Sequence, residues 1–392
     1  MYTSPHFGCI VPPYLLEQLV ENSDSDVRRA ALATMVTTEH LRGRRSLAAE
    51  LGLTAAASTD GGRRTVFDCR TSTNVNSAVQ VLDEDGGTSS DPAVLRAFDG
   101  LGATRDFYRS VLQRSSVDGE GMALNGYVHY GRQFNNAFWD GAHMVFGDGD
   151  GKIFADFTLS IDVIAHELTH GVTEHTAGLQ YERQPGALNE SISDVFGSLV
   201  KQWRAGQDAA DADWLIGAEV FTPSIQADAL RSMKAPGTAW NASVFGRPDP
   251  QPDHMSRFVH LPVSADGDWG GVHINSGIPN KAFCLAAIGI GGKAWEAAGH
   301  IWYAALLAAN ASTGFQAFAD LTDAKAGELC GTTSPERDAV RRAWDQVGIR
   351  TVTAPAAPAA ADVPGLADQI AALSAKLDRI TERLDAVRMS PA

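Results

Sequence analysis

The sequence predicts an α+β protein with a β-rich N-terminal lobe and a helical C-terminal lobe. Three observations predict it. Between Thr65 and about Asp150, short strand-like runs alternate with helical stretches and many glycines; Tyr127-Val128-His129-Tyr130 and His143-Met144-Val145-Phe146 are examples. From Leu159 to about Gly348, helical periodicity dominates. The chain has 392 residues, more than one ordinary core supports, which implies two domains plus extra segments.

Composition narrows the function classes. Hydrophobic residues make up 44% and charged residues 20%, as in globular proteins. The formal net charge is -15, from 32 basic and 47 acidic side chains. Neutralising a phosphate backbone needs clustered Lys and Arg, so a nucleic-acid partner is not expected. No stretch has the eighteen or so apolar residues of a membrane-spanning helix, and no membrane partner is expected. The most apolar stretch, Ala294 to Ala311, contains Glu296, Gly299, His300 and Asn310 and reads as a buried helix. Met1 to Val20 lacks a basic start, and Pro12-Pro13 interrupts its apolar part, so no conventional secretory signal is read. The expected location is the cytoplasm, or outside the cell by another export route. Cys9, Cys69, Cys284 and Cys330 form no CxxC pair and no disulfide framework.

In chain order, residues 1–50 hold an extended start and then helical patterning from Leu15 to about Leu47. Prolines favour extended backbone at the start, and Leu15, Leu16, Leu19 and Val20 supply an apolar docking face. Residues 51–64 are rich in Ala, Gly, Thr and Asp, end on Arg63-Arg64, and read as a flexible, cleavable joint. Residues 65–200 form the β-rich lobe, and residues 201–350 the helical lobe. Residues 351–364 form an Ala/Pro linker. In residues 365–389, Leu366, Ile370, Leu373, Leu377, Ile380, Leu384 and Val387 alternate spacings of 4 and 3, a heptad seam. Such a helix either lies on the body of its own chain or makes a short coiled coil between chains; the linker favours the coiled coil, with homo-oligomers through 366–387.

The segment His166-Glu167-Leu168-Thr169-His170 carries the chemistry. On a helix, residues i and i+4 share a face, so both imidazoles can reach one tetrahedral zinc ion. Glu167 lies near the metal but off the ligand line, as a general base toward water would. Two surface histidines on a helix are the structural alternative. A third ligand is needed, with a fourth position left open. Glu190 follows His170 by twenty residues, inside Gly186-Ala187-Leu188-Asn189-Glu190-Ser191-Ile192-Ser193-Asp194-Val195-Phe196-Gly197. Glu190 and Asp194 are again i and i+4: one carboxylate can ligate while the other fixes a ligand imidazole.

HELTH followed by GALNESISDVFG resembles the thermolysin family of metallopeptidases. The resemblance extends over most of residues 65–350. It includes Asn135-Asn136-Ala137-Phe138-Trp139-Asp140-Gly141, Phe146-Gly147-Asp148-Gly149-Asp150-Gly151, and Asp268-Trp269-Gly270-Gly271-Val272-His273-Ile274-Asn275-Ser276-Gly277. Pro12-Pro13-Tyr14-Leu15-Leu16 resembles the short precursor segment of the protealysin-like subgroup. The resemblance implies two lobes with the zinc helix between them, and a zinc-dependent endopeptidase made as a self-inhibited zymogen. It implies His166, His170 and Glu190 as zinc ligands, with Glu167 as base. It further implies Tyr181 and His273 as donors to the oxyanion, and Asp268 as the residue that orients His273. Asp194 and Asn189 would steady His166 and His170. Asn136, the Ala137 carbonyl and Arg231 would hold the backbone of peptide or protein substrates. Phe154, Val163, Ile216 and Leu230 would line the main specificity pocket; all are apolar, so cleavage before bulky hydrophobic residues is expected.

Two departures stand out. Asp162 and Asp213 match acids of the family's double calcium site, but Lys201, eleven residues after Glu190, stands where a third acid is expected. A lysine ammonium can replace a cation there, so calcium at that position is not expected. Cys9 precedes the two prolines, and its thiolate is a candidate propeptide contact to zinc; the alternative is a small apolar residue packing on the body. A different zinc hydrolase is disfavoured by the Glu190 and His273 segments, and an inactive scaffold by the intact Glu167, Tyr181 and His273.

Overall fold

The computed structural model describes residues 8–50 and 61–352, without the side chains of residues 44–50. The Ala/Pro linker and the heptad seam lie outside the described residues, as does most of the expected joint.

The N-terminal segment contributes α1 (Pro13–Val20) and α2 (Ser25–Glu50). The expected continuous helical patterning is therefore split. Asp24 causes the break: its carboxylate accepts hydrogen bonds from the backbone N–H groups of Asp26 and Val27, which starts a new helix. The apolar face is used as expected, with Leu15, Leu16 and Leu19 buried.

The sheet is built from β1 (Arg64–Asp68), β2 (Val79–Asp83), β3 (Leu124–Val128), β4 (Ala137–Trp139) and β5 (His143–Phe146). Between β2 and β3 runs α3 (Pro92–Leu112), started by the Asp91 side chain and by Pro92 in its first turn. The strand order is β2-β1-β3-β5-β4, with β1–β3 and β3–β5 parallel and the two outer pairings antiparallel. β4 is thus an edge strand. Two sequence boundaries move. Arg64 already belongs to β1, where it pairs with Glu84, so the ordered body starts before the expected end of the joint. β3 stops at Val128 because His129 turns to a φ of 54°, and its ring then bridges Asp91 and Asp148.

Two long helices follow: α4 (Ile161–Glu174) and α5 (Arg183–Ala205). The expected lobe boundary at 200/201 falls inside α5. All residues from Asp162 to Thr173 are buried, so α4 is an interior helix carrying polar side chains at chosen positions. α5 presses directly against it. A Cβ at Gly197 would stand 2.6 Å from the Asp162 carbonyl oxygen, so only glycine permits that approach.

The rest is mainly helical. After β6 (Leu215–Ile216) and its partner β7 (Arg231–Ser232) come α6 (Ala242–Phe245), α7 (Asp268–Asn275) and α8 (Gly277–Ile290). Then follow α9 (Ala297–Ala308), α10 (Phe315–Cys330) and α11 (Pro335–Gln346). Their core includes Phe283, Trp302 and Trp344, with the two indole rings stacked. The helix expected within Ala294–Ala311 is α9. Among the described residues no helix is long and apolar enough to cross a membrane.

Candidate metal centre

The α4–α5 contact brings His166, His170 and Glu190 together. One turn separates the two histidines, and their Nε2 atoms lie 3.1 Å apart. Glu190 from α5 closes the group, each of its oxygens 3.5 Å from one Nε2. All three side chains are buried.

The outer ring nitrogens are already engaged. His166 Nδ1 makes an ion-pair contact with Asp194 at 2.8 Å. His170 Nδ1 faces Asn189 Oδ1 at 2.9 Å and Ser193 Oγ at 3.1 Å. With Nδ1 turned to these acceptors, each Nε2 presents a lone pair to the centre of the group. A buried carboxylate facing two imidazole nitrogens calls for positive charge between them, from a proton or from a metal ion. A tetrahedral zinc with Zn–N of 2.0–2.1 Å sets its nitrogen ligands about 3.3 Å apart, close to the spacing found. The residues present therefore fit a zinc ion. Glu190 Oε2 has no hydrogen-bond partner among the described residues, as an oxygen reserved for a metal would not.

Glu167 sits between the histidines in sequence and beside the group in space. Burial lifts its carboxyl to about 8, against the pull of His166. The backbone N–H of Trp139 in β4 donates to Oε2 at 3.1 Å, while Oε1 has no partner among the described residues. One oxygen is fixed and the other is left for a proton.

Tyr181 and His273 arrive from different segments. The Tyr181 hydroxyl donates to Glu190 and lies 3.2 Å from His273 Nε2. Asp268 holds the other side of the His273 ring, Oδ1 to Nδ1, at 2.5 Å. α7 is irregular at its start: Asp268, Trp269, Gly270 and Gly271 all have positive φ. This turn lets the Asp268 carboxylate also accept the backbone N–H groups of His273 and Ile274.

Arg231 joins two parts of the site. It donates twice to Asp194, at 2.8 Å each, and once to the Ile10 carbonyl at 2.9 Å. Burial opposes the Asp194 charge, but Arg231 and His166 hold its carboxyl down at about 2. Asn280 also donates to Asp194, at 2.8 Å. Ser193, Asn280 and the Trp139 amide were not singled out from sequence. Ser193 could have been, since it shares the α5 face of Asn189 and Glu190; the other two carry no sequence signal.

The segment Gly8–Val11 lies over the centre. Ile10 N–H donates to the Ala137 carbonyl at 3.3 Å, and Val11 N–H to Asn136 Oδ1 at 3.0 Å. Ile10, Phe154, Val163, Ile216 and Leu230 are all buried in one core cluster. The Cys9 thiol is not in the metal group. It donates to the Val11 carbonyl at 3.7 Å and packs with Tyr127, Tyr130 and Phe138. Burial pushes it to about 12, so it stays a thiol.

At the other end of α4, Lys201 Nζ pairs with Asp162 at 2.9 Å and Asp213 at 3.0 Å, and donates to the Leu215 carbonyl at 2.6 Å. Burial weakens the ammonium, but the two carboxylates more than restore it.

Comparison with known proteins shows the family. Residues 37–174 match the thermolysin metallopeptidase catalytic domain, and residues 177–349 match its alpha-helical domain. The chain is 45% identical over 344 residues to an extracellular metalloprotease of Pectobacterium carotovorum, covering 87% of this chain and 96% of that protein. It is 42% identical to protease PrtS of a Photorhabdus strain, covering 87% of this chain and 92% of the relative. The precursor of protealysin, a metalloproteinase from Serratia proteamaculans, superposes with a TM-score of 0.77 at 43% identity, over 87% of this chain and 99% of the other.

The ring contacts predict how metal affinity responds to a single change. Replacing Asp194 would strand the buried Arg231 charge, at a cost of roughly 3–5 kcal/mol, and would confuse affinity with folding. Asn189→Ala removes no charge. It is expected to weaken zinc binding about tenfold, the low end for such partners because Ser193 also faces His170. Competition with a chromophoric chelator measures this; unchanged affinity would contradict the orienting role.

Proposed function

The chain belongs to the thermolysin family of metallopeptidases, and from that premise we propose that it is a zinc endopeptidase held latent by its own N-terminal segment. The family implies zinc, and the His166–His170–Glu190 group supports it. The observation that carries the reading is this group beside a buried Glu167 with one oxygen fixed and the other without a partner.

Zinc, when bound, supplies Lewis acidity and lowers the pKa of water to about 7. The chain's own residues do the rest. Glu167 Oε1 takes the proton of the attacking water and later delivers it to the departing amine. Tyr181 and His273 donate to the oxygen that gains negative charge when the carbonyl is attacked; such a donor is worth about 3 kcal/mol. Asp268 holds the His273 ring so that Nε2 keeps its direction. Asn136, the Ala137 carbonyl and Arg231 fix the substrate backbone on β4. Phe154, Val163, Ile216 and Leu230 receive the side chain that follows the cleaved bond, which selects bulky apolar residues.

Latency follows from occupancy. Gly8–Val11 uses the Asn136, Ala137 and Arg231 contacts that a substrate would need, and α1 anchors it. Residues 1–50 act as propeptide, and cleavage in 51–64 would release them. The Pectobacterium relative is named as extracellular, which supports export over a cytoplasmic location.

The principal test is intact mass over time for zinc-supplied wild type and Glu167→Ala. Wild type is expected to lose about its first fifty residues while the variant stays whole; equal processing of both would contradict the assigned base. For the second cation site, we propose that the Lys201 ammonium stands in for calcium. A calcium-selective chelator is then expected to leave the melting temperature unchanged, and a loss that calcium restores would refute the substitution.

A further inference from the structure

The N-terminal segment does more than cover the metal group: it presents one particular peptide bond to it. Cys9 pairs antiparallel with Phe138. Its carbonyl oxygen lies 3.2 Å from His273 Nε2, the nitrogen that the Tyr181 hydroxyl also faces. On the far side of the bond, Ile10 is clamped by Ala137 at its N–H and by Arg231 at its carbonyl. On the near side, a Cβ at Gly8 would stand 2.4 Å from His170 Nε2, so only glycine lets the backbone pass so close to the metal group. The side chain of Ile10 is fully buried, and that of Cys9 is tucked into an aromatic cluster on the other face. Side chains that alternate across the strand leave the carbonyl between them aimed at the site.

We infer that the Cys9–Ile10 peptide bond is held in the scissile position and that the protein hydrolyses it. The inference rests on the peptidase reading above. The water oxygen bonds to the Cys9 carbonyl carbon while Glu167 takes a water proton. The C–N bond to Ile10 breaks, and the nitrogen receives that proton together with the one from the new acid. The products are a Cys9 carboxylate and an Ile10 ammonium, with one water consumed.

After the cut, the new amine stays at the site. Ile10 remains joined to α1 and α2, and Lys152 ties the start of α2 to the body through Asp24 and Asp26 at 2.6 and 3.1 Å. An amine kept beside its carboxylate has a high effective concentration, so rejoining competes with loss of Met1–Cys9 and slows net cleavage. Once Met1–Cys9 departs, the side of the centre that Gly8 covers opens, while Ile10 onward still fills the other. Activation then takes two cuts, the first at Cys9–Ile10 and the second in the joint.

The test uses the full chain supplied with zinc, followed by N-terminal sequencing and intact mass. A species that begins at Ile10 is expected in wild type and absent in both Glu167→Ala and Gly8→Ala. A second readout needs no turnover: amide exchange in zinc-free Glu167→Ala. The Ile10 and Val11 N–H groups are expected to exchange slowly there, and at least tenfold faster once Gly8→Ala is added. Hydrolysis of an added reporter peptide, measured after dilute trypsin has trimmed the joint and the freed N-terminal segment has been separated from the body, distinguishes this inference from the peptidase reading. Reporter hydrolysis with no Ile10 terminus overturns this inference alone, as does fast exchange at Ile10 and Val11. No reporter hydrolysis overturns the peptidase reading and this inference with it.

Discussion

The structure depends on one buried cluster that demands positive charge. Two imidazole nitrogens 3.1 Å apart and a carboxylate 3.5 Å from each are buried together. With neither a proton nor a metal ion between them, that arrangement is among the more costly a core can contain. Much of the surrounding architecture serves to impose it. Gly197 brings α5 against α4, which places Glu190 across from the histidines. Asp194, Asn189 and Ser193 turn the rings so that the lone pairs converge. Arg231 and Asn280 in turn hold Asp194. The three ligand candidates are thus held in place by contacts outside the group itself.

The edge strand β4 is the second constraint. An exposed edge offers unpaired N–H and C=O groups to any extended chain. Here the protein's own Gly8–Val11 covers that edge through Ala137 and Asn136, and under the proposed function a peptide substrate would take its place. The same strand supplies the Trp139 amide that fixes Glu167, so one element holds both Gly8–Val11 and that carboxylate.

Much of the centre was legible in the sequence because it is local on helices. HELTH at i and i+4, and Glu190 and Asp194 at i and i+4 along α5, need only helical periodicity to converge, whereas Asn189 came forward through the family resemblance. Lys201 was legible for the opposite reason: a positive residue where acids were expected points to an internal cation, and it does pair with Asp162 and Asp213. Tyr181, His273 and Asp268 come from segments that no periodicity connects, so only the family resemblance brought them forward. Cys9 shows what residue type alone cannot give. A cysteine near a zinc motif suggests a thiolate, but along an extended strand the side chain and carbonyl point in different directions, and here the carbonyl takes the site. Boundaries were lost where tertiary contacts override local signals: Arg64 looked like the end of a loose joint until Glu84 and β3 fixed it.

X-ray absorption at the zinc edge, on the full chain loaded with one equivalent of zinc, tests the central claim most directly. The account predicts nitrogen and oxygen scatterers only, near 2.0–2.1 Å, with the multiple-scattering signature of about two imidazoles. A sulfur shell near 2.3 Å would place the Cys9 thiolate on the metal and contradict the carbonyl-first arrangement. Fewer than two imidazoles would contradict the metal centre itself.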